Sequence, residues 1–250
     1  MRLVSAEALK IVRRRGTMIW CAILTVGSVV VADIVLVALH AANASKHGPA
    51  GGFENFRHVV LLMSGLGNVA AILIGSAAGS QDSSSGVLRD LVVTGRPRKT
   101  LFRVRYPGAL IVFLPLLAVG FALTTLGAFV FAGGLPTPGA STIGHYAAYA
   151  VATATVDIGL AIGLAAFASS RVVVGVLIAW NAIVAHLLVA IGSLGSARKF
   201  IDVAATERLL PAVYRGTVIP MSTVTALLIL LAWIAVFQGA GQWWTERRDI

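Results

Sequence analysis

Apolar residues run through this chain in blocks of about 20, separated by short polar stretches. Six blocks can be marked, over residues 17–39, 56–78, 107–131, 143–168, 172–194 and 221–239. A helix rises about 1.5 Å per residue, so each block can cross a hydrocarbon layer of roughly 30 Å. Three of the polar stretches carry structure of their own. At the start, Leu3, Val4, Ala8, Ile11 and Val12 can share one helical face, with Glu7, Lys10, Arg13 and Arg14 elsewhere. That pattern predicts an amphipathic helix lying along the membrane surface. Between the second and third blocks lies QDSSSGVLRDLVVTGRPRKTLFRVR, residues 81–105. Its apolar residues Val87, Leu88, Leu91 and Val92 fall at helical spacing, and Thr94-Gly95 breaks the pattern. Pro97 can then open a second short helix, residues 98–105, where its missing N–H costs nothing. Before the last block, residues 195–220 mix charges with Phe200, Val203, Leu209, Leu210, Val213 and Tyr214. These read as one or two short helices lying on, or dipping into, the outer face.

Composition turns this pattern into a class. Hydrophobic residues make up 58% of the 250, charged residues only 12%, and the mean hydropathy is +0.88. Soluble domains carry about twice that share of charge. The expected fold is an all-α integral membrane protein of six spans, forming a single membrane domain over residues 1–250. A cleaved leader ending near Ala42-Asn43-Ala44 is the competing reading of the first block, whose length exceeds a typical signal-peptide core.

Charge then sets the expected orientation. The net charge of +10 sits mainly at block ends, which fits membrane topology and lipid headgroups and excludes a nucleic-acid partner. With both termini cytoplasmic, Arg2, Lys10, Arg13, Arg14 and Arg15 face inward. So do Arg89, Arg96, Arg98, Lys99, Arg103 and Arg105 of the loop, together with Arg171, Arg247 and Arg248. That is most of the 20 Lys and Arg, and the opposite topology inverts the ratio. Trp243 and Trp244 fall at headgroup level.

Candidate chemistry is sparse. Asp33 and Asp157 lie inside spans, where a bare carboxylate costs about 2.5–3.5 kcal/mol on insertion scales. They either line a translocation path or hydrogen-bond between packed helices. Asn181, His186 and Asn68 raise the same choice at lower cost. Gly159 and Gly163 form a small-xxx-small pair suited to close helix packing or dimerisation. The sole cysteine, Cys21, has no disulfide or metal partner, and the histidines show no ligand spacing, so no metal site is expected. No phosphate-binding loop, H-E-x-x-H or G-x-S-x-G is present. The chain is therefore not expected to be an enzyme or to hydrolyse a nucleotide unaided.

Taken together, these stretches resemble the type-2 membrane permeases of ATP-binding-cassette (ABC) exporters. The resemblance rests on EALKIVRRRGT (7–17), on the loop from Asp82 to Arg105, and on the hairpin GLAAFASSRVVVGVLIA. Gly95 stands where the family usually has proline, and Pro97 is shifted two places along. The resemblance implies an elbow helix (Glu7, Lys10, Arg13, Arg14) and a cytoplasmic coupling helix between spans 2 and 3. The coupling residues carried over are Gly86, Leu88, Leu91, Thr94, Pro97, Arg98, Lys99, Leu101, Phe102 and Arg105. It further implies short outer re-entrant helices before span 6, a pair of permeases, and ABC ATPase subunits holding the ATP and Mg. No cofactor is expected on this chain. The location implied is a plasma or prokaryotic inner membrane. An apolar interior favours a hydrophobic or amphipathic cargo, with Asp33, Asp157, Asn181 and His186 as translocation-path candidates. The alternatives are a membrane anchor or scaffold of a sensor complex and a polytopic membrane enzyme.

Overall fold

The computed structural model describes residues 2–84, 95, 97–211 and 219–247, and for Arg2 and residues 81–84 the backbone only. Gly86, Leu88, Leu91 and Thr94, with the helix expected over 86–93, lie outside the described residues, as do Val213 and Tyr214. Every regular element among the described residues is helical. The order is α1 (Arg2–Val12), α2 (Arg15–Ala42), α3 (Gly52–Ser84), α4 (Arg98–Arg103), α5 (Arg105–Val130), α6 (Ala140–Leu164), α7 (Ser170–Ala190), α8 (Asp202–Glu207) and α9 (Thr223–Arg247). A 3₁₀ segment, Gly192–Phe200, precedes α8. Six of these helices are long and apolar enough to cross a membrane, so the chain is a multi-pass, all-α membrane protein.

Span ends depart from the apolar blocks. Helix α9 continues to Arg247, about two turns beyond the block ending at 239, and α3 continues past residue 78 to Ser84. Hydropathy marks the part of a helix that hydrocarbon tolerates, and backbone hydrogen bonding carries the helix on into water. The hairpin after α6 turns earlier than expected, over residues 165–169, and α7 stops at Ala190, not 194.

Helix α1, helix α4 and the last turns of α9 share one face, here the terminal face. Arg103 Nε donates to Gln242 Oε1 at 2.8 Å, and Arg98 Nη1 to the Glu246 carbonyl at 3.3 Å. On the other face, Gly51 N donates to the Phe131 carbonyl and Phe53 N to the Pro136 carbonyl, both at 2.7 Å. Those bonds knit the loop before α3 to the loop after α5.

Helices α3 and α6 form the centre: 61% of the most apolar stretch of each is buried, against 11% for α2. Small residues permit their approach. A Cβ on Gly75 would lie 2.7 Å from Ala161 Cβ, and one on Gly79 2.6 Å from Ala165 Cβ. Gly75-xxx-Gly79 on α3 thus meets Ala161-xxx-Ala165 on α6. The next face of α6 carries Gly159 and Gly163, which receive α9 at Ile234 and Phe237. This glycine pair packs within the chain. Without a solvent-driven hydrophobic effect between helices in lipid, such backbone contact is the main source of cohesion.

Candidate functional site

Two regions concentrate polar side chains. The first is the terminal face. Helix α4 is one and a half turns long and opens at extended Pro97. Leu101 and Phe102 are buried, and Phe102 reaches Gly241 of α9, whereas Lys99, Thr100 and Arg103 are exposed. The expected docking residues therefore divide: Leu101 and Phe102 anchor the helix, and Arg98, Lys99 and Arg103 form its outer surface. Arg105 is buried as well, with Nη1 donating 2.9 Å to the Gly79 carbonyl and the guanidinium 5.6 Å from the Phe102 ring. It ties the start of the third span to the second.

Helix α1 lies beside this region but is rotated from its expected face. Ile11 is buried and Val12 half-exposed. Glu7, placed by the sequence pattern on the polar side, is buried against Gly108, with Lys10 Nζ 2.6 Å from its carboxylate. The absence of a Cβ at Gly108 makes room for the Glu7 stem, so a residue three positions along supplies the counter-charge instead of water. Arg13 is exposed and Arg14 half-exposed at the end of the helix.

The second region is a cavity of about 50 Å³ among α3, α6, α7 and α8. Helix α6 contributes Tyr149, Thr153 and Asp157; α3 contributes Asn68; α7 contributes Asn181 and His186; α8 contributes Asp202 and Thr206. Asp157 is 2% exposed and accepts from Asn181 Nδ2 through Oδ1 at 2.7 Å. Its other oxygen, Oδ2, is buried without a hydrogen-bond partner among the described residues. Asp202 is 3% exposed and accepts from Trp180 Nε1 at 3.1 Å. A π-turn over Trp180–Val184 widens α7 here, and the adjacent donors Trp180 and Asn181 serve two different carboxylates.

Helix α8 reaches this depth because the segment before α9 dips. Asp202 bonds Trp180, ten residues before the end of α7, and the Phe200 carbonyl accepts from Trp233, ten residues into α9. At about 1.5 Å per residue, both place the segment roughly 15 Å from those helix ends.

Of the four translocation-path candidates, Asp157, Asn181 and His186 meet in this cavity. Asp33 does not; its Oδ2 lies 2.9 Å from where a Cβ on Gly127 would sit, on the α5 side. Sequence reasoning missed Asp202, Tyr149 and the polar role of Trp180. The available signal was Asp202 itself, an acid opening the small apolar run Asp202-Val-Ala-Ala-Thr.

Asp202 and Glu207 lie outside the spans, and burial pushes both carboxyls above their ordinary range. For Asp202, hydrogen bonds from Trp180 and backbone N–H groups and the nearby His186 oppose the shift without cancelling it. A raised folded value means that the folded state holds its proton more tightly than the unfolded chain. That contribution is complete below the unfolded carboxyl range near about 4 and is lost as pH rises through the raised values. Thermal unfolding of the detergent-purified chain should therefore become easier as pH climbs out of that range, and Asp202→Asn should flatten the trend. Trp180→Phe keeps a ring beside Trp233, whose centroid is 5.7 Å away, but removes the donor to Asp202. Its expected cost is about 1–3 kcal/mol, read as a lower denaturation midpoint.

No protein-family model matches this chain, and no curated protein matches it either. Among the described residues no three His, Cys, Asp or Glu side chains group as a metal site would need.

Proposed function

We propose that this chain is the non-catalytic permease subunit of an ABC exporter, moving a hydrophobic or amphipathic substrate with ATP hydrolysed on a separate subunit. The observation that carries the reading is α4: a short basic helix on the terminal face, exposed along Lys99, Thr100 and Arg103, and anchored by Leu101 and Phe102. It runs straight into the third span and is tied to the second through Arg105 and the Gly79 carbonyl. A partner pushing on α4 would push on two spans at once. In this reading α1 is the elbow helix, α4 seats on the ATPase, and the terminal face is cytoplasmic in a plasma or inner membrane. A second permease copy would cover apolar side chains that α2 leaves outward, such as Ile19, Val31 and Ile34.

The test is affinity purification of the full chain from its native membrane in mild detergent. A stoichiometric ABC-type ATPase with ATPase activity should accompany the wild type. Lys99→Glu with Arg103→Glu should reduce that partner about 10-fold or more, with membrane yield unchanged. A chain that purifies alone, or whose partners ignore the α4 charges, would replace this reading by the membrane-anchor or scaffold alternative.

A further inference from the structure

No residue of α4 lines the cavity between α6, α7 and α8, and the cavity's chemistry is specific. Two carboxylates, Asp157 and Asp202, line a space of about 50 Å³. A buried water needs about 10–15 Å³ of such space, so the cavity holds a few water-sized groups and no organic cargo. Asp157 is 2% exposed and lines the cavity, and its Oδ2 is buried without a hydrogen-bond partner among the described residues. A carboxylate buried in a span, with one oxygen bare, is among the costliest arrangements in a membrane protein.

Among the described residues the surrounding charges do not offset it. From α8, Asp202 and Glu207 add negative charge, and α6 itself adds only the Tyr149 phenol. From α3 the lining group is the neutral amide of Asn68. From α7 come Asn181, already bonded to Oδ1, and His186, the one basic group lining the cavity among the described residues. Nearby guanidiniums are directed to backbone carbonyls: Arg208 Nε to Met221 and Arg198 Nη1 to Val189. The remaining lining atoms include the Asn68 amide and the Thr153 and Thr206 hydroxyls, all with oxygen lone pairs. An anion is excluded by charge. A divalent metal is disfavoured because no three metal-binding side chains group among the described residues.

We propose that this cavity binds a small monovalent cation, either a proton or sodium, between Asp157 and Asp202. The ion joins α6, α7 and the dipped helix α8 through one centre, since Asn181 holds Asp157 and Trp180 holds Asp202. Loading would lock the three elements together, and release would free α8 from the spans. The proposal does not depend on the exporter reading and fails or stands separately from it.

The test uses the full chain, purified in detergent or nanodiscs, with no partner. Thermal unfolding is followed between about pH 5.5 and 8.5 in sodium chloride or in the chloride of a bulky organic cation at equal ionic strength. Infrared spectra at neutral pH are recorded in parallel for the protonated-carboxyl C=O band. If the ion is a proton, the midpoint falls as pH rises, sodium makes no difference, and the carboxyl band is present. If it is sodium, the midpoint at alkaline pH rises saturably with sodium and the organic cation has no effect. In the sodium case Asp157→Asn loses the sodium response; in the proton case it flattens the pH slope to the part that Asp202 and Glu207 supply. Asp33→Asn, outside the cavity, leaves either response unchanged. A wild type with neither a saturable sodium shift nor a carboxyl band overturns the proposal without any variant. So does an Asp157→Asn protein that folds and retains the wild-type response and band.

Discussion

Gly163→Ala is expected to unfold this protein in detergent, while Gly144→Ala makes it more stable. Both positions are helical glycines in α6, and elsewhere in a helix the change to alanine gains roughly 0.5–1 kcal/mol of conformational entropy. At Gly144 an added Cβ meets no atom within 4 Å, so that gain is expected in full. At Gly163 the Cβ would land on the backbone carbonyl of Phe237, 2.6 Å from its carbon and 2.9 Å from Phe237 Cβ. Backbone cannot rotate aside as a side chain can, so α9 would have to move as a body. That movement would also strain two neighbouring contacts. Gln238 Nε2 donates 2.7 Å to the Gly159 carbonyl, and Gly241 fits against the Gly163 carbonyl and the tip of Phe102. Ordinary overpacking costs about 1–3 kcal/mol, and a backbone clash with these attached losses should exceed it. Size-exclusion profiles after a temperature ramp would show the two variants shifting to opposite sides of wild type. Equal behaviour of the two would mean that α6 and α9 are not in backbone contact.

The second large effect is expected at Arg105. It is the largest fully buried side chain among the described residues and holds the Gly79 carbonyl at 2.9 Å. Arg105→Ala leaves that carbonyl without its guanidinium donor, at about 1–3 kcal/mol, and empties a large packed volume besides. Arg105→Lys should rescue little, because an ammonium lacks the planar fork that both reaches Gly79 and lies over the Phe102 ring. Hydrogen exchange localises the result. Amides of α4 should exchange faster in both variants, with those at the centre of α6 unchanged. Uniform loss of protection would instead mean that Arg105 supports the whole bundle. If α4 is the docking helix proposed above, the same variants weaken partner capture without touching a residue on its outer surface.

Much of this fold can be read from one-dimensional pattern. Hydropathy blocks locate six spans because each must bury a backbone in hydrocarbon independently of its neighbours. Helix α4 is legible from Pro97 and the apolar pair Leu101-Phe102 between cations, though which way that pair points is not. Asp157 stands out for its cost wherever its helix packs. The Gly159-xxx-Gly163 pair is visible as a pattern, but its partner is not. The equally placed Gly75 and Gly79 escape notice in an alanine- and glycine-rich chain, although they hold the two central helices together.

The amino-acid sequence by itself determined that this is an all-α membrane protein of six spans, with a basic helix before the third and costly acids in the first and fourth. Only the tertiary structure decided that Asp157 meets Asn181, His186 and a dipped Asp202 while Asp33 stands apart, and that Leu101 and Phe102 face inward. The reason is physical. Crossing a membrane is a property of each segment alone, whereas the order and rotation of helices depend on shape matching between faces far apart in the chain.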